Sequence, residues 1–140
     1  RDRDIMKYIE KHYRTINDKN HRAICGLSMG GFHSLYISAR YPDKFGYVGL
    51  FSAAINRQSK GENNDVYDNL EEKLAVQFKH APRLYWIGIG SGDFLYKDNA
   101  EFRKLLDRKG YKYTYMETDG GHIWRNWRIY LTEFTQLLFK

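Results

Sequence analysis

The sequence predicts an α/β fold built on a parallel, largely buried sheet of about four strands. Two observations carry this: short apolar β-rich runs alternate with segments of 3.6-residue apolar spacing, and glycine-rich turns follow the runs. Parallel strands need crossovers, and the helical segments between the runs supply them.

In RDRDIMKYIEKHYR, Ile5, Ile9 and Tyr13, with Met6 beside them, put an apolar stripe on a first helix. After the turn residues Asn17, Asp18 and Asn20, the run Arg22 to Cys25 reads as a short buried strand ending at Gly26. From Gly30 the spacing Phe32, Leu35, Tyr36, Ala39 is helical, and Tyr41-Pro42 stops it. Tyr47 to Phe51 is the second strand, and the polar stretch Asn56 to Asp65 reads as a surface excursion. A helix with Val66, Leu70, Leu74 and Phe78 follows, then a central strand, Arg83 to Ile89, running into the loop Gly90-Ser-Gly-Asp93. Asp98 and Glu101 are placed to cap a helix bearing Phe102, Leu105 and Leu106, with Gly110 at its C-terminus. Lys112 to Glu117 is a fourth strand with Tyr113 and Tyr115 on one face, and a last helix carries Trp127, Leu131, Phe134 and Leu138.

With 140 residues the chain reads as one domain, residues 1–140, and its 42% hydrophobic and 16% aromatic content can fill a core. The net charge is +6, with both signs scattered and no basic block, so a nucleic-acid partner is not indicated. No run approaches the roughly 18 apolar residues that span a bilayer, so no membrane partner is indicated. One cysteine, Cys25, excludes an internal disulfide and a cysteine-based zinc site, and its apolar neighbours predict a buried thiol.

The chemistry concentrates at strand ends. Gly26-Leu-Ser-Met-Gly30 is a G-x-S-x-G between a predicted strand and a predicted helix, the context of a nucleophile elbow. Such a turn is sharp, so glycines are expected two residues before and after Ser28. A serine needs a base, and five histidines compete. His12 lies in the first helix, His21 at the wrong end of the elbow strand, His33 in the following helix and His80 before the third strand. His122, in Asp119-Gly-Gly-His-Ile-Trp124, follows the C-terminal end of a strand, where an open parallel sheet places its ligands. For the acid that orients the imidazole, Asp93 in the loop after the third strand is favoured over Asp98, Glu117 and Asp119. Asp98 reads as a helix cap, Glu117 lies on a strand, and Asp119 is too near His122 in sequence to reach its ring without the loop doubling back.

The stretches RAICGLSMGGFHSLYISARYPDKFGYVGLFSAA, GSGDFLYKDN and GGHIWRNWRIYLTEF resemble the putative esterase family of α/β-hydrolases. Its members include feruloyl and acetyl xylan esterases, with S-formylglutathione hydrolases and mycolyltransferases as relatives. The resemblance implies an α/β-hydrolase fold represented by the C-terminal half of its sheet. It implies Ser28 as nucleophile, His122 as base and Asp93 as acid, with the Met29 amide in the oxyanion hole and no metal or organic cofactor. The His-x-Trp-x-x-Trp-Arg ending favours small-molecule or oligosaccharide esters, acetyl or feruloyl, of plant polysaccharides. The family resemblance alone favours a secreted or periplasmic bacterial setting. Trp124, two residues past the base, is then placed to line a pocket for a sugar or feruloyl ring.

Members of this family are about twice as long, so the strands before the elbow strand, and the loop carrying a second oxyanion donor, are expected in a longer parent. Losing one such donor costs about 10²–10³ in turnover, so reduced activity is expected of these residues alone. The elbow strand would then lie at a sheet edge, and a homo-oligomer or association with the missing N-terminal half is expected, with contact near residues 20 to 36. Two other readings stand beside the esterase: a non-catalytic α/β fragment kept for partner binding, and an acyltransferase or S-formylglutathione hydrolase-like relative.

Overall fold

The computed structural model describes residues 19–55 and 69–138. The expected first helix, Val66 and the Asn56 to Asp65 excursion lie outside these residues. The described elements are β1 (Ala23–Leu27), α1 (Met29–Arg40), β2 (Tyr47–Phe51), α2 (Leu70–Lys79), β3 (Leu84–Gly90), α3 (Tyr96–Lys109), β4 (Thr114–Thr118) and α4 (Trp124–Gln136), preceded by a single 3-10 turn at Lys19–His21. The four strands form one sheet in the order β1-β2-β3-β4, every pair parallel. This is the architecture that the alternation of runs predicts.

Side-chain alternation sorts the sheet into two faces. Val48 and Leu50 of β2 and Tyr85, Ile87 and Ile89 of β3 pack with Phe32 and Leu35 of α1, Leu74 of α2 and Phe102 and Leu106 of α3. On the other face Tyr47, Phe51 and Trp86 meet Tyr130 and Phe134 of α4. Full burial of a Leu, Ile or Phe side chain stabilises by about 1.5–3 kcal/mol, so β2 and β3, buried along almost their whole length, anchor the fold.

Element boundaries differ from the sequence reading at several points. β1 runs on through Gly26 and Leu27, because its ladder continues to Leu50 and Phe51 of β2. α1 starts at Met29, not Gly30. Asp98 is not a cap: Leu95 occupies that position, and Asp98 is the third residue of α3. Gly110 does close α3, at φ 73°.

The stripe of α4 is also rotated from the expected one. Asn126, Tyr130 and Phe134 are its buried positions, four residues apart, while Leu131 is 49% exposed. Cys25 corrects another expectation. Among the described residues β1 pairs only with β2, so its outer side is open and the thiol is exposed there. Its apolar surroundings still push the thiol pKa up. Cys25, Leu27, Phe51, Trp124, Trp127 and Leu131 border an apolar groove of about 190 Å³ along that edge. No helix among the described residues is long and apolar enough to cross a membrane.

Candidate active site

Ser28 is the one residue between the end of β1 and the start of α1, and it holds φ 53°, ψ −116°. A non-glycine residue with positive φ carries strain on the order of 1–3 kcal/mol, which the surroundings must offset. Here the end of β2 does so. The Ser28 N–H donates to the Phe51 carbonyl at 2.9 Å, and the Ser28 carbonyl accepts from the N–H groups of Ala54 at 2.9 Å and Phe32 at 3.1 Å.

The glycines around Ser28 differ in what they do. A Cβ on Gly26 would run into the Gly30 carbonyl, and one on Gly31 would lie 2.7 Å from the Ala53 Cβ. Gly30 has nothing within 4 Å of where a Cβ would sit, although the motif expectation gave it a steric role. Gly26→Ala is therefore expected to open the elbow and lose stability by about 1–3 kcal/mol, the usual cost of overpacking, while Gly30→Ala folds normally. Paired urea melts check this: equal midpoints for the two variants would contradict it.

The loop between β4 and α4 brings His122 to Ser28. His122 Nε2 lies 3.0 Å from Ser28 Oγ, and Nδ1 lies 2.9 Å from Asp93 Oδ2. The Asp93 side chain is fully buried, and its other oxygen accepts the Leu95 N–H at 2.9 Å. A carboxylate only accepts, so Nδ1 carries the imidazole proton and Nε2 is left to accept from the serine hydroxyl. Two loops meet to make this possible: the N–H groups of Ser91 and Gly92 donate to the carbonyls of Thr118 and Gly120 at 2.8 and 2.9 Å. Asn126, buried at the start of α4, ties down the His122 loop by donating through Nδ2 to the carbonyls of Asp119 and Gly121.

None of the rival acids takes the place of Asp93 beside His122. Glu117 accepts the hydroxyls of Tyr115 and Tyr96 at 2.7 Å each, and these bonds hold its carboxyl below the usual carboxylate range. Asp98 belongs to α3, and Asp119 is exposed. His21, His33 and His80 are exposed, on the turn before β1, in α1 and after α2 respectively, and His12 lies outside the described residues. Met29, the first residue of α1, has an N–H with no carbonyl of its own helix to bond. Trp124 is 70% exposed and meets Trp127 edge-on, with ring centroids 5.2 Å apart.

Two contributors escape the sequence reading. Trp127, on the expected stripe of the last helix, is half-buried and packs against the core as that stripe predicts, but it also lies 4.9 Å from the His122 ring at 85°. Its indole N–H donates to Ser52 Oγ at 3.2 Å. Asn126 sits inside the GGHIWRNWR stretch, and its four-residue spacing from Tyr130 and Phe134 is the signal that could have placed it on the inward face. Among the described residues no group of three or more His, Cys, Asp and Glu side chains could hold a metal ion.

The model of the putative esterase family matches residues 2–137. The chain belongs to that family. It is 30% identical over 142 residues to an endo-1,4-beta-xylanase/feruloyl esterase of Xylanibacter ruminicola, across 98% of this chain and 17% of that protein. An acetyl esterase of Caldicellulosiruptor saccharolyticus is 24% identical over 164 residues, 98% of this chain and 61% of its own length. Among solved structures, a ferulic acid esterase of Anaeromyces mucronatus superimposes with a TM-score of 0.76 at 28% identity, covering 96% of this chain and 50% of that one. The S-formylglutathione hydrolase of Staphylococcus aureus shares the fold, with a TM-score of 0.78 at 22% identity over 98% of this chain and 58% of that one. The fold of this esterase-family chain is thus that of the α/β-hydrolases. The chain spans less than two thirds of the length of each of these relatives.

Proposed function

We propose that this esterase-family chain carries the catalytic half of a serine carboxylesterase, with Ser28 as nucleophile, His122 as general base and Asp93 as the acid that orients it. The single observation that carries the reading is the unbroken relay from Ser28 Oγ through both ring nitrogens of His122 to the buried Asp93 carboxylate, with steps of 3.0 and 2.9 Å. In this mechanism Nε2 takes the hydroxyl proton as Oγ attacks the ester carbonyl, and Asp93 stabilises the imidazolium that forms. The Met29 N–H accepts part of the developing oxyanion charge, with a second donor from a longer parent. The imidazolium then gives its proton to the departing alcohol. Water attacks the acyl-enzyme with His122 again as base, releasing the acid and free Ser28. No metal or organic cofactor enters these steps.

The substrates proposed are acetyl or feruloyl esters of plant polysaccharides. The names borne by the relatives from Xylanibacter ruminicola and Caldicellulosiruptor saccharolyticus support this. So does Trp124, whose exposed indole near the base offers a stacking face for a sugar or a feruloyl ring. The full-length protein is expected to release acetate or ferulate from xylan fragments faster than it releases long fatty acids. It should also be labelled at Ser28 by a fluorophosphonate. Faster release of long-chain acids would sink the substrate assignment, and labelling at another residue would sink the nucleophile.

A further inference from the structure

We infer that Trp127 is a positioning residue for His122, held by a hydrogen bond to Ser52. The inference rests on the esterase reading above. An imidazole bonded at both nitrogens is fixed along the line joining them, yet it can still rock about that line. A ring packed at a steep angle against it blocks the rocking. Trp127 is so placed, with centroids 4.9 Å apart and planes at 85°.

Core filling alone does not account for this side chain. Trp127 packs against the rim of the Tyr47, Phe51, Trp86, Tyr130 and Phe134 cluster, yet it is only partly covered and its polar end is individually satisfied. Its indole N–H reaches Ser52 Oγ at 3.2 Å, which fixes the plane of the ring. Ser52 is wholly buried and holds φ 46°, a conformation that L residues rarely adopt, and its N–H is bonded to the Gly88 carbonyl at 2.8 Å. The residues flanking Ser52 hold the elbow: the Phe51 carbonyl accepts the Ser28 N–H, and the Ala54 N–H donates to the Ser28 carbonyl. One short segment after β2 therefore braces the nucleophile through its backbone and the base through Trp127. The distance between Ser28 Oγ and His122 Nε2 is set from both sides by the same four residues, Phe51 to Ala54.

The test uses the full-length protein with nitrophenyl acetate and compares Ser52→Ala, Trp127→Phe and the double variant. Each single change is expected to lower kcat about tenfold with KM within about twofold, because misplacing a catalytic group slows the chemical step more than binding. The double variant should be no slower than the worse single one, since both changes release the same ring. An unchanged kcat, a loss confined to KM, or losses that multiply would each overturn the inference. Ser52→Ala removes one oxygen, so it decides the matter even if Trp127→Phe folds poorly. Ser28→Ala run in parallel separates the two readings: if it stays active the esterase assignment itself fails, whereas an inactive Ser28→Ala beside a normal Ser52→Ala overturns only the role of Trp127.

Discussion

Replacing Ser28 by alanine in the full-length protein is expected to lower kcat for nitrophenyl acetate by about 10⁴–10⁶-fold, because the residues of such a relay act as a unit and removing the nucleophile leaves only binding and oxyanion stabilisation. Stability should not fall. The hydroxyl bonds His122 Nε2 at 3.0 Å in a part-buried site, while the hydrogen bonds that hold the elbow use the Ser28 backbone, which alanine keeps. Thermal melts of the two proteins should therefore nearly coincide while their rates differ by orders of magnitude. Activity within tenfold of the parent would remove Ser28 from the mechanism.

Asp93→Asn is expected to cost about 10⁴ in kcat, since a neutral amide can donate to Nδ1, reverse the tautomer and leave Nε2 protonated where it must accept. The substitution is nearly isosteric, and the Leu95 N–H retains an acceptor if the side-chain carbonyl takes over that bond. Asp119→Asn provides the contrast. Asp119 is exposed, and its contribution to the site is the backbone carbonyl that accepts Asn126 Nδ2 at 3.0 Å, which the change leaves intact. Its kcat should stay within about threefold of the parent, the range of a surface change distant from the reacting atoms. A mild Asp93→Asn beside a severe Asp119→Asn would reverse the assignment of the acid.

The parallel sheet was legible because β2 and β3 are buried on both faces and so appear in the sequence as continuous apolar runs bounded by glycine. Ser28 was legible for a related reason: the elbow is a local device, and Gly26 and Gly31 stand where the chain passes close to itself and to Ala53. Periodicity was a weaker guide at the margins. On α4 it selected Leu131, which is exposed, and passed over Asn126 and Tyr130, which are buried, because Trp127 and Leu131 together mimic an inward stripe. The expected cap at Asp98 failed because the loop from Asp93 turns into α3 three residues earlier, with Leu95 at the cap position.

Short-range sterics and apolar spacing make the four strands, their helical crossovers and the serine turn readable from the residues alone, together with a resemblance to the esterase family carried by stretches lying largely within single βα units. Long-range packing, by contrast, fixes which carboxylate meets His122, leaves Cys25 exposed on β1, and joins Ser52 to Trp127 beside the His122 ring. The first and last of these join residues 29 and 75 positions apart in the chain, and the bond from His122 to Ser28 spans 94. Their proximity follows from the strand order β1-β2-β3-β4, which lines up the C-terminal ends of neighbouring parallel strands and so gathers the four loops that follow them at one end of the sheet.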